Sequence, residues 1–150
     1  MTEKINTCSE AISLARELEK SSAGFYKILA GRHPDNRDLF LSFADENEKY
    51  IKDIERAYYG VISDALEGCF AFSINPGDYS LETGMVENAT FKEAVQRAMK
   101  MEEKIIEYYN VAAEQSKSLM ADVPRAFKLV VKKRLKRQST LSTVTSTAES

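Results

Sequence analysis

At 150 residues, 43% of them hydrophobic and 29% charged, the chain is long enough for one domain with a real core and ordinary for a globular protein. Its two cysteines, Cys8 and Cys69, stand far apart, which excludes a disulfide framework and any zinc or iron site built on cysteine pairs. Net charge is only −2 but uneven: residues 1–122 carry 14 Lys/Arg against 22 Asp/Glu, whereas residues 123–150 carry seven basic residues and one acid.

Six glycines and three prolines leave room for long regular elements, and the periodicity is helical. The first helix is predicted from Thr7, where "TCSE" is a capping-box pattern with Glu10 three residues after the cap. Its inward stripe reads Ile12, Ala15, Glu19, Ser22, Tyr26, Leu29, and Gly31 and Pro34 end it. The second helix is predicted over about Asp38 to Tyr59 with the stripe Phe40, Phe43, Asn47, Tyr50, Ile54. The connection from Gly60 to Ala89 is too long for a tight turn. Its Phe70, Phe72, Ile74 and Tyr79 call for packing along the body, so the third helix need not run antiparallel to the second.

A second capping box, "TFKE" at Thr90–Glu93, opens the third helix, whose stripe is Val95, Ala98, Glu102, Ile105, Tyr109, Ala112. The fourth helix is predicted from near Pro124, with Phe127, Val130, Arg134 and Arg137 inward. The sequence reading thus places an all-α four-helix domain over 1–137. Residues 138–150, rich in Ser and Thr, read as a disordered tail. An internal repeat runs through the pattern: Glu19 precedes Tyr26 by seven residues, as Glu102 precedes Tyr109, so the chain reads as a duplicated helical hairpin.

Over roughly residues 8–137 this pattern resembles the rubrerythrin branch of the ferritin-like di-iron proteins. The resemblance implies a four-helix bundle with a long crossover between helices two and three. It also implies a centre in which helices one and three each give a Glu, and helices two and four each give Glu-x-x-His, to two iron ions that react with peroxide or oxygen. Glu19, followed by Phe25 and Tyr26, and Glu102, followed by Tyr108 and Tyr109, match the first and third helices. The other four ligand positions fall on Asn47, Tyr50, Arg134 and Arg137, none of the expected type. The only histidine, His33, lies beside Pro34 and is given no role.

Asn47 and Tyr50 read equally as a buried polar pair and as former ligand positions. The six positions already sum to zero charge without a metal. Two readings of Arg134 and Arg137 stay open: guanidinium groups paired inside with Glu19 and Glu102, or a basic helix end fraying into solvent. The expected function is therefore a ferritin-like module that has lost its di-iron centre and binds or supports, with no cofactor. The alternative is a metal-binding oxidoreductase of the di-iron peroxidase or ferroxidase type on a reduced carboxylate site, with Glu19 and Glu102 as ligands to iron or another divalent metal.

Further expectations are a homodimer, no nucleic-acid partner, and at most a weak polyanion contact at the basic end of helix four. No apolar run approaches the ~20 residues of a membrane span, and "MTEKINTCSE" does not read as a signal peptide, so the expected location is the cytoplasm.

Overall fold

The computed structural model describes residues 4–59, 72–81, 89–117 and 122–149. Among the described residues there are four α-helices: α1 (Cys8–Arg32), α2 (Arg37–Tyr59), α3 (Phe91–Ser116) and α4 (Asp122–Glu149). Thr7 caps α1 through a complete capping box, accepting from Glu10 N–H while Glu10 Oε1 accepts from Thr7 N–H. A three-residue 3₁₀ turn over Pro34–Asn36 then reverses the chain into α2. Thr90 caps α3 with its side chain, accepting from Glu93 N–H at 3.1 Å.

Cross-helix pairs fix the directions. Arg16 meets Glu55 and Tyr26 meets Phe40, so α1 and α2 run antiparallel. Glu19 with Tyr109 and Tyr26 with Glu102 make α1 antiparallel to α3. Glu102 with Arg134 and Tyr109 with Phe127 make α3 antiparallel to α4. Asp53 with Lys133 and Phe43 with Arg137 make α4 antiparallel to α2.

The predicted stripes are the core. Leu29, Phe40, Ala98, Ile105 and Phe127 are all fully buried, and Ile12, Phe43, Ile54 and Val130 nearly so. From the connection, Phe72, Ile74 and Tyr79 are buried as expected, whereas Phe70 lies outside the described residues. Ile74 forms a short antiparallel bridge with Ile5, and Tyr79 packs edge-on to Tyr108. Lys104 donates to Ser80 O and Ser73 N–H donates to Gln115, so this segment lies over α1 and α3.

Helix four departs from expectation at both ends. It begins at Asp122, and in place of the disordered tail over 138–150 it continues to Glu149. The inward stripe did not stop at Arg137: Leu141, four residues on, is fully buried. The hydroxyls of Thr140, Thr143 and Thr145 bond the carbonyls of Lys136, Ser139 and Leu141, so these side chains are satisfied within the helix, while buried Leu141 supplies its packing. None of the described helices is long and apolar enough to cross a membrane.

Candidate functional site: a buried arginine–carboxylate cluster

All six singled-out positions converge between the four helices. Glu19, Asn47, Glu102 and Arg134 have no exposed surface, and Tyr50 and Arg137 have almost none. Arg134 lies at the centre. Its Nη1 donates to both oxygens of Glu102, at 2.6 and 2.7 Å, and its Nη2 donates to Glu19 Oε1 at 2.5 Å. One planar guanidinium thus bridges two carboxylates on different helices, a geometry a lysine ammonium could not reproduce.

The remaining carboxylate oxygens are claimed by tyrosines, crosswise. Tyr26 of α1 donates to Glu102 Oε2 of α3 at 2.7 Å, and Tyr109 of α3 donates to Glu19 Oε2 of α1 at 2.6 Å. Every oxygen of both carboxylates therefore accepts from a protein donor. Helical periodicity places both tyrosines on the inward stripes but assigns them no partner. The signal was available in the repeat, since a Glu and a Tyr seven residues apart on two antiparallel helices meet their opposite numbers.

Arg137 forms the second layer. Its Nη1 donates to Asn47 Oδ1 at 2.8 Å, and its Nη2 donates to Phe43 O at 3.2 Å and, more weakly, to Tyr50 OH at 3.4 Å. The guanidinium carbon stands 4.7 Å from the Phe43 ring centroid and 5.2 Å from that of Tyr26, so ring faces share in holding the charge. Asn47 is turned by two contacts: its oxygen accepts from Arg137, and its amide donates to Ser22 Oγ at 2.8 Å. Tyr50 donates to Glu46 Oε2 at 3.0 Å. Glu46, which the stripe argument kept outside, sits at the rim with a partly exposed carboxylate 4.0 Å from Arg137.

Burial is the largest single influence on Glu19, Tyr26, Tyr109 and Arg134. It pushes the Glu19 carboxyl above the usual range, against the pull of Arg134 and of the Tyr109 hydrogen bond. For Arg134, burial alone would lower the pKa, but the charges of Glu102 and then Glu19 outweigh it and hold the guanidinium firmly protonated. Tyr26 and Tyr109 are raised well above ordinary phenols, first by burial and then by the carboxylate each one faces.

The open choice between pairing inside and fraying outside is thus decided for both arginines. Among the described residues their buried Nε–H groups find no partner, a cost the other contacts must offset. Among the described residues no three His, Cys, Asp or Glu side chains gather closely enough to hold a metal ion. His33 packs edge-on to Phe91, away from the cluster. The chain matches no protein-family model, no curated protein and no solved structure.

Proposed function

We propose that this chain is a ferritin-like bundle of the rubrerythrin-resembling kind in which an arginine cluster replaces the di-iron centre, and that it acts as a non-catalytic binding or structural module. The observation that carries this reading is Arg134, whose guanidinium bridges Glu19 and Glu102 and, with Tyr26 and Tyr109, occupies every carboxylate oxygen. The helix directions support the bundle type. With α1 antiparallel to both α2 and α3, helices two and three run the same way, as a bundle with a crossover requires. The Ile74–Tyr79 stretch packed against α1 and α3 agrees with such a crossover.

The residues present do not fit two iron ions. A ferrous pair needs several anionic or imidazole ligands with free lone pairs, and here two carboxylates face two guanidinium groups. A metal cation entering this space would meet two buried positive charges. The carboxylates are equally unsuited to acid–base work, since each is locked in charge-assisted bonds and shut away from solvent.

Metal analysis of purified protein, with the absorbance followed on aerobic ferrous addition, tests the reading. The expected result is iron far below one ion per chain and no oxidation signal. Iron near two ions per chain, with ferrous oxidation, would restore the oxidoreductase alternative with Glu19 and Glu102 as ligands.

A further inference from the structure

The last turns of α4 are rich in Ser and Thr, and the buried cluster does not account for that composition. Short hydroxyl side chains fill less space than inward residues earlier in the helix, such as Phe127 and Val130. Where they face the first turns of α3, a groove of about 830 Å³ lies between the two helices. Every residue lining it falls within Lys92–Lys100 or Ser142–Ser146, and none belongs to the arginine cluster. That volume is in the range of small-molecule sites.

The two walls differ in chemistry. From α3 come three cations, Lys92, Arg97 and Lys100, against one carboxylate, Glu93. Glu93 already serves the cap, its Oε1 accepting from the Thr90 hydroxyl at 3.2 Å. Lys92 and Arg97 make contacts within the chain, and the lining as a whole still carries two more positive charges than negative ones. Lys100 is exposed. The first-turn amides of α3 add positive potential at the same end. From α4 come only hydroxyls, those of Ser142, Thr145 and Ser146. Thr145 spends its proton on Leu141 O at 2.9 Å and serves a ligand as an acceptor, whereas the exposed Ser142 and Ser146 can also donate. Buried Val95 and half-buried Met99 supply an apolar patch.

We propose that this groove binds a small phosphate monoester whose organic body is about the size of a nucleoside. A phosphate monoester carries about −1.5 to −2 charge at neutral pH, which matches the surplus of the lining; a lone carboxylate would leave half of it unanswered. Arg97 offers the phosphate a planar fork of donors, and Lys92 and Lys100 offer point charges. The α4 hydroxyls suit the hydroxyls and ring nitrogens of the organic body, and Val95 with the polarisable Met99 suits its flat apolar face. The proposal goes beyond the functional reading and does not depend on the buried cluster.

Titration of the full chain with AMP, followed by calorimetry and by amide NMR shifts, tests it. AMP is expected to bind with a Kd of about 1 mM or tighter and to move amides within residues 91–100 and 142–146. Adenosine, which lacks the charge, and inorganic phosphate, which lacks the body, should each bind about tenfold more weakly or worse. Removing two of the cations (R97Q with K100Q) should raise the AMP Kd by about tenfold or more. Ser142→Leu fills the groove without altering its charge and should do the same, so the test survives if the charge variant fails to fold by circular dichroism. The pair K128Q with K132Q removes two exposed lysines that do not line the groove and should leave the Kd within about twofold. Absence of AMP binding at about 10 mM, inorganic phosphate binding as well as AMP, or shifts centred on the Lys128–Lys136 run would each overturn the proposal. So would a Kd indifferent to the groove variants or equally sensitive to K128Q with K132Q.

Discussion

Within four residues of α4, Lys132 and Arg134 belong to the same basic run and meet opposite fates. Lys132 is exposed, and Arg134 has no exposed surface and bridges two carboxylates. Two residues on a helix differ by more than half a turn, so a run such as "KKRLKR" is two populations on opposite sides. The outer lysines keep their hydration and are screened by salt. The inner arginines have lost water and depend wholly on their partners. Charge arithmetic along the sequence treats the two alike, although only the inner set depends on its partners for stability.

The largest effect should come from breaking the inner set. Glu102→Ala leaves Arg134 and Arg137 short of an anion and is expected to cost roughly 3–5 kcal/mol in urea unfolding. Removing Glu102 and Arg134 together keeps the buried charges balanced, Glu19 against Arg137, and should recover part of the loss. Apolar replacement of all four charged groups, Glu19, Glu102, Arg134 and Arg137, leaves no buried charge and should recover most of the loss. Equal stability for Glu102→Ala and wild type would mean the cluster is not formed in solution.

Leu141→Ala probes the far end of the same helix. Leu141 is fully buried, but it lies in the last turns, where collapse is easy, so a loss of about 2–3 kcal/mol is expected. A change near zero would show that the Ser/Thr-rich end does not stay docked.

Alkaline pH separates buried from exposed phenols. Tyr26 and Tyr109 keep their protons in the folded state well above pH 10.0, the value at which an unfolded tyrosine ionises. Above that pH the unfolded chain binds fewer protons than the folded one. Stability should therefore fall as pH rises, by about 1.4 kcal/mol per unit for each of the two. Tyrosinate absorbance from these residues should appear together with the loss of helical circular dichroism. If it appears first, the hydroxyls are more accessible than the geometry implies.

The smallest effect belongs to the outer set. Lys132→Ala should change monomer unfolding by no more than about 0.5 kcal/mol, while Arg134→Ala exceeds it several-fold. Parity between them would erase the distinction between the two sides of α4.

Much of this architecture is local and was readable from the chain. Thr7 with Glu10 and Thr90 with Glu93 mark helix starts because caps depend on residues three apart, and stripes such as Phe40–Phe43–Asn47–Tyr50–Ile54 mark the buried side because helical periodicity does. The same reasoning put Glu19, Asn47, Tyr50, Glu102, Arg134 and Arg137 inward and showed that their charges cancel. It stopped short at Leu141, because a low-complexity Ser/Thr composition outweighed one stripe residue. It could not tell which guanidinium reaches which oxygen, that Tyr26 and Tyr109 cross between helices, or that Glu46 reaches the rim. Those contacts join residues up to 115 positions apart, and only the directions and heights of the packed helices bring such atoms within hydrogen-bond range.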